Sequence, residues 1–212
     1  MTILVATRNT GKAAEFAEML ASSGIDWCDL SAFPHAPEVD ETGITFRANA
    51  CLKASQYARA TGSWTIADDS GLEVDFLHAA PGVLSARWAS THNAGAGDVD
   101  NNRLLLQQLS DAPDDRRSAR FVCVLALSDP LGQIVLTARD TMEGKIIREA
   151  CGANGFGYDP LFMITERGRT TAELSPADKH AISHRGKALV RIRQMMQGLL
   201  TVMATNKSDR TE

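Results

Sequence analysis

The sequence predicts an α/β fold built on a mixed sheet, and three observations carry that prediction. A short apolar run at residues 2–6 passes through a polar turn into a helical rhythm of apolar residues. The middle of the chain holds more strand-length apolar runs than a plain alternation of strand and helix supplies. A helix-start signature then opens the last part of the chain.

In chain order, residues 2–6 read as a buried strand, residues 7–11 as a polar turn and residues 12–20 as a helix. Residues 25–30 return as a second strand. Residues 31–43, with Pro34, Pro37, Glu38, Asp40 and Glu41, have the turn chemistry of a loop. Phe46, Ala50, Lys53, Ala54 and Tyr57 recur at helical spacing until Gly62 stops the helix. Residues 64–67 form a strand that delivers Asp68-Asp69-Ser70-Gly71, where a carboxylate pair and a glycine turn are expected to interrupt the apolar signal before it resumes at residues 72–77. Residues 98–109 carry Leu104, Leu105 and Leu109 on a helix, and residues 111–120 are charged and loop-like. The run FVCVLAL at 121–127 is a strand, paired antiparallel with residues 133–138 through the turn Asp129-Pro130-Leu131-Gly132. Ser175-Pro176-Ala177-Asp178 supplies a cap, a proline at the first helical position and an acid in the first turn. Leu189, Ile192, Met196, Leu199 or Leu200, and Met203 continue an apolar stripe. The stripe is lost over residues 204–212, which are expected to fray, leaving residues 1–203 as one domain.

Composition narrows the function classes. With 212 residues, 44% hydrophobic and 23% charged, the chain is an ordinary globular protein able to bury a core. A formal charge of −4 argues against a nucleic-acid partner, yet leaves room for a small phosphate-bearing ligand held by a few local cations. The first apolar run ends at Ala6 without a basic leader, so no secretory signal is expected, and no apolar run is long enough to predict a membrane partner. Cys28, Cys51, Cys123 and Cys151 match neither a zinc pattern nor a disulfide scaffold, so they read as buried free thiols in a reducing cytoplasm.

Four segments carry chemistry. Thr7-Arg8-Asn9-Thr10-Gly11-Lys12 joins backbone N–H groups at a helix start to hydroxyls, an amide and two cations, a set that surrounds phosphate oxygens. It departs from a Walker A loop, with Ala6 in place of the first glycine and Ala13 where a metal-binding hydroxyl belongs. Asp40-Glu41 and Asp68-Asp69 offer carboxylate oxygens suited to Mg²⁺. If Asp68 and Asp69 both lie on a strand they point to opposite faces. Phe156-Gly157-Tyr158-Asp159 offers aromatic faces to a purine or, alternatively, a packed structural turn. Lys179, Ser183, His184 and Arg185 supply donors, unless they only cap helices and meet solvent.

TRNTGK (7–12), ETGITF (41–46), ADDSGL (67–72), GFGYDP (155–160) and SHRG (183–186) occur together in an order that resembles the inosine triphosphate pyrophosphatase family, nearest its bacterial dITP/XTP (noncanonical purine NTP) pyrophosphatase branch. The resemblance runs from residue 3 to about residue 200. It implies an elongated mixed-sheet fold with two lobes around a central nucleotide-binding cleft, a homodimer, and Mg²⁺-dependent hydrolysis of dITP, ITP and XTP to nucleoside monophosphate and pyrophosphate. By the same resemblance Thr7, Arg8, Asn9, Thr10, Gly11 and Lys12 contact phosphate. Asp69 binds metal and accepts a proton from the attacking water, Glu41 assists with the metal, and Ser70 touches substrate. Phe156, Gly157, Tyr158 and Asp159 hold the base, and Lys179, His184 and Arg185 complete the pocket. Two positions depart from the family: Arg47-Ala48-Asn49 lacks the acid that many relatives place before the asparagine, and Arg8 stands where small residues are common. Competing readings are a pyrophosphatase of modified pyrimidine or ordinary nucleoside triphosphates, and a noncatalytic nucleotide-binding protein.

Overall fold

The computed structural model describes the backbone of residues 2–21 and 23–208, with side chains up to residue 198. Its strands are β1 (Ile3–Val5), β2 (Trp27–Asp29), β3 (Trp64–Val74), β4 (Ser118–Ser128), β5 (Ile134–Ile146), β6 (Phe162–Ile164) and β7 (Arg169–Thr170). They form one mixed sheet in the order β2-β1-β3-β4-β5-β6-β7, parallel among β2, β1 and β3 and antiparallel from β3 onward. The helices are α1 (Thr10–Leu20), α2 (Phe46–Thr61), α3 (Trp88–Thr91), α4 (Gly97–Gln108), α5 (Pro176–Ile182) and α6 (His184–Ser208).

The run FVCVLAL is continuously apolar because β4 is covered on both faces. Val122, Val124 and Ala126 pack with Ala50, Ala54 and Tyr57 of α2. The alternate residues Cys123, Leu125 and Leu127 pack with Phe16 of α1 and Ile192 of α6. Strands β3, β4 and β5 are far longer than β1 and β2, so the ribbon runs on past the parallel part of the sheet. At the far end Leu72, Leu105, Phe121, Met142, Leu161 and Phe162 close a second core. These two regions are the lobes, and the long strands connect them.

Several expectations are corrected. No turn interrupts Asp68 to Gly71: β3 runs unbroken from Trp64 to Val74, because its carboxylates find cations on both faces and need no solvent-facing turn. β5 extends well beyond residue 138, and β4 begins at Ser118 inside the segment expected to be loop. The C-terminal helix is two helices, broken at Ser183, whose extended backbone caps α5 while its hydroxyl accepts from Gly186 N. Helix α6 includes residues 204–208, whereas 209–212 of the tail expected to fray lie outside the described residues. Only Cys123 is fully buried; Cys28 and Cys51 are half-buried and Cys151 is exposed.

The 3-10 segment Gly82–Arg87 packs against β3 at Gly71. A Cβ there would collide with the Ser85 hydroxyl and stand 2.6 Å from the Gly82 carbonyl oxygen, so only glycine allows this approach. Ser85 Oγ accepts from Leu72 N at 2.8 Å, replacing a ladder bond at that point of the strand. Gly71→Ala is therefore expected to destabilise the fold by about 1–3 kcal/mol, the usual cost of overpacking, measured as a lower midpoint in urea denaturation with unchanged slope.

Candidate active site

A cleft runs between the lobes along β3. Of the residues that the family resemblance assigns to the site, all but Thr10 and Gly11 line it; Asp40, Asp68 and Ser183, also singled out from the sequence, do not. Thr10 and Gly11 already belong to the first turn of α1, whose cap is Asn9: its side chain accepts from Lys12 N at 2.9 Å. Gly11 serves a neighbour, since a Cβ there would stand 2.7 Å from the Phe156 ring. Arg8 donates to the Tyr57 hydroxyl (3.2 Å) and the Ala36 carbonyl (2.9 Å), fastening the loop at residues 31–43 to α2.

Asp68 and Asp69, adjacent on β3, face opposite sides of the sheet as strand geometry requires. On one side Asp68 Oδ2 meets Lys12 Nζ at 3.0 Å and Arg185 at 3.4 Å, and accepts from Ser70 Oγ at 3.0 Å. Ser70 in turn accepts from Arg185 at 2.7 Å. Glu15 of α1 pairs with Arg185 and, at 2.7 Å, with Lys179 Nζ. Lys179 continues to Asp159 at 2.5 Å, which also accepts from Thr171 Oγ1 (2.8 Å) and Phe156 N (2.9 Å). The Phe156 ring lies 5.1 Å below the Lys179 ammonium. Tyr158 is a buried anchor, its hydroxyl donating to the Ser85 carbonyl at 2.9 Å.

On the other side Asp69 Oδ2 accepts from Asn49 Nδ2 at 3.0 Å, and Asn49 Oδ1 accepts from Gly43 N at 2.7 Å. Asn49 thus ties the acidic loop to the strand. Lys53 Nζ stands between two carboxylates, 2.7 Å from Glu41 and 3.8 Å from Asp69.

These surroundings give the two aspartates opposite acidities. Burial opposes ionisation of Asp68, but Lys12, Arg185 and Lys53 outweigh it and hold the carboxyl well below the usual range. Burial pushes Asp69 up to about 6: Lys53 and Lys12 oppose the shift, while Glu41, which holds Lys53 closer, adds to it. Burial would also raise Glu15, yet Arg185 and Lys179 keep it below its ordinary value. His184 is buried and stacked on Phe121 at 5.0 Å; burial, then Arg185 and Lys179, lower its pKa well below 6.5, so the imidazole is neutral.

Glu15, Asn49 and Lys53 escaped the sequence reading as site residues. Lys53 left a signal, a lysine inside the apolar stripe of α2, where a cation is buried only with partners. Glu15 left none beyond its place next to Phe16, because its partners lie more than 160 residues away.

The fold and cleft define a protein that holds a small polyanion between two lobes, with carboxylates placed beside a ring of donors. The Ham1 family model matches residues 3–195. The chain is 53% identical to a dITP/XTP pyrophosphatase of Exiguobacterium sibiricum, over 91% of this chain and 95% of that one. It is 46% identical to a dITP/XTP pyrophosphatase of Mycobacteroides abscessus, over 97% and 99% of the two chains. Among solved structures, a HAM1 protein from Coxiella burnetii superposes with TM-score 0.82 at 40% identity, covering 93% of this chain and 99% of that one. The chain belongs to the Ham1 family.

Two outcomes follow from the buried charges. Glu15→Ala leaves two buried cations short of a partner and is expected to cost about 3–5 kcal/mol of folding stability in urea titration. For His184, the folded pKa lies below the unfolded value, so its contribution is complete above pH 6.5 and declines as pH falls. Asp69, raised in the fold, acts in the opposite sense in both proteins compared. The stability difference between wild type and His184→Phe should therefore fall by about 1.4 kcal/mol per pH unit below 6.5, read from denaturation at stepped pH.

Proposed function

We propose that the protein hydrolyses noncanonical purine nucleoside triphosphates (dITP, ITP and XTP) to nucleoside monophosphate and pyrophosphate, removing them from the nucleotide pool of the cytoplasm as a homodimer. The observation that carries this reading is Asp69: a carboxylate with its pKa raised to about 6 faces a cleft lined by Lys12, Lys53, Lys179 and Arg185. The relatives named dITP/XTP pyrophosphatase support the substrate class.

The donor set suits Mg²⁺. Among the described residues no cluster of three or more acidic, histidine or cysteine side chains offers a cage. Mg²⁺, however, commonly takes one or two carboxylates and completes its shell with water and substrate phosphates. Asp69 and Glu41 are such a pair, and the Lys53 ammonium between them marks a place where positive charge is stabilised. They would hold the ion, which when bound supplies charge neutralisation and polarises phosphoryl oxygens.

In the reaction, Asp69 accepts a proton from water as the water oxygen bonds to phosphorus and the bridging bond between the α and β phosphorus atoms breaks, releasing pyrophosphate. Near pH 7 a group of pKa about 6 is mostly ionised yet basic enough to take that proton. Asn49 orients the carboxylate through its amide. Thr7, Asn9 and Lys12 meet phosphate oxygens at the head of α1, where the N-terminal N–H groups favour anions. Phe156 gives the base a face. Lys179, with one ammonium hydrogen beyond its two carboxylates, and neutral His184 offer donors to a 6-keto oxygen, where adenine would present an amino group.

A panel of dITP, XTP, dATP, dGTP and dUTP with separate detection of pyrophosphate and orthophosphate tests the reading. Preferential release of pyrophosphate from dITP and XTP is expected; equal turnover of dATP, or orthophosphate as first product, contradicts it. Asp69→Asn should retain nucleotide binding and lose turnover by at least about 100-fold, the scale of a missing general base.

A further inference from the structure

Lys12, Lys53, Lys179 and Arg185 line the cleft, and each pairs with one or two carboxylates. Together they face Glu15, Glu41, Asp68, Asp69 and Asp159, so four cations meet five carboxylates and this network carries one negative charge in excess when all are ionised. Asp98 is a further carboxylate lining the cleft, and it stands outside the network: among the described residues it has no cation for a partner. An unpaired negative charge works against a polyanionic ligand, so its place in the wall calls for another reason. The bond that Asp98 does make supplies one.

Asp98 Oδ2 accepts from Gly157 N at 2.7 Å, and Asn102 Nδ2 donates to the Gly157 carbonyl at 3.0 Å. The two side chains are four residues apart in α4 and so share one helix face, which grips Gly157 by both of its backbone polar groups. Asn102 Oδ1 is buried with no partner among the described residues, so the donation to Gly157 is what that amide contributes. Gly157 has a φ of 63°, a backbone conformation that glycine enters freely and leaves as freely unless held. The N–H that Asp98 holds belongs to the peptide that follows Phe156, while the N–H of Phe156 itself is held by Asp159. Both peptides flanking Phe156 are thus fixed, one by its own turn and one by α4. Helix α4 is a firm support: Leu105 lies in the second core with Tyr158 and Leu161, and Asn101 donates to the Ala86 carbonyl at 3.2 Å and accepts from Ala89 N at 2.8 Å.

We infer that Asp98 and Asn102 are positioning residues that set Phe156 against the base of the nucleotide through their two bonds to Gly157; this rests on the nucleotide-pyrophosphatase reading, in which Phe156 gives the base a face. Neither side chain needs to touch the ligand. The clamp reaches the base half of the pocket, because the groups assigned to phosphate and metal come from the head of α1, from β3 and from the loop at residues 31–43. An aromatic face held in place beforehand spares the ligand the cost of ordering the turn on binding.

The test compares wild type with Asp98→Ala, Asp98→Asn and Asn102→Ala. It measures KM and kcat for dITP, inhibition by dIMP, which carries the base, and inhibition by inorganic pyrophosphate, which does not. Displacing the Phe156 turn predicts a rise of about 10-fold in KM for dITP and a similar weakening of dIMP inhibition in Asp98→Ala, with kcat and pyrophosphate inhibition within about twofold of wild type. Asp98→Asn keeps an acceptor without the charge and should recover most of the loss, and Asn102→Ala should shift KM and dIMP inhibition in the same direction by about threefold. Wild-type KM and dIMP inhibition in Asp98→Ala overturn the assignment, as does pyrophosphate inhibition that weakens in step with them. An Asp98→Asn variant as impaired as Asp98→Ala also overturns it, because the charge and not the bond would then be the cause. Should Asp98→Ala fail to fold, Asn102→Ala decides from the carbonyl side. If wild type releases no pyrophosphate from dITP, the functional reading itself fails. Amide hydrogen exchange over residues 155–159 still reads the clamp: faster exchange in Asp98→Ala than in wild type and Asp98→Asn supports it, and equal exchange rejects it.

Discussion

The structure depends most on the buried guanidinium of Arg185. Only 2% of its surface meets solvent, so its charge must be balanced inside the protein, and Glu15 and Asp68 balance it from two different elements. Glu15 comes from α1, Asp68 from β3 and Arg185 from α6, which pins the first helix, the central strand and the last helix to one point. Lys179 extends the chain of charges to Asp159, and Asp159 holds the backbone N–H of Phe156. Desolvation makes such a network costly to form and more costly to leave incomplete. Its members accordingly hold a geometry that surface ion pairs do not.

From that anchor the difference between Asp68 and Asp69 follows. The two are chemically identical and adjacent, but strand geometry gives each its own face. Asp68 is absorbed into the Arg185 network and remains ionised as a structural anion. Asp69 faces the side where Lys53 is drawn first to Glu41, so burial prevails and its pKa rises to about 6. One carboxylate organises cations and its neighbour keeps the proton affinity a base needs. Had β3 turned at Gly71, both would have met water and this division would be lost.

Local pattern made much of the architecture legible. The strand at residues 2–6, the helix from Phe46 to its stop at Gly62 and the proline-capped start at Ser175 each announce themselves within a few residues. The unbroken strand through Asp68-Asp69 was not legible, since carboxylates in a strand are stable only when cations from α1, α2 and α6 cover them. The length of β5 was hidden likewise: past residue 138 its half-buried polar residues gain their place by pairing with β4. For the site, the motifs located most cleft residues but not their partners. Gly11 sits in a phosphate-friendly motif, yet its missing side chain makes room for Phe156, a reason that lies 145 residues further on.

Charge balance ties these points to selectivity. A chain of net charge −4, with a cleft network that is itself one charge negative, has no bulk field to draw polyanions in. A strongly positive cleft would take any triphosphate by charge alone and leave the base little influence. Here each cation of the network is held by a carboxylate, so a ligand must offer better-placed oxygens than the ones already present. Under the proposed function that condition would make binding depend on directional donors along the whole ligand. A base presenting a donor toward Lys179 and neutral His184 would then leave buried polar groups unpaired, a penalty that cations already held by carboxylates do little to offset.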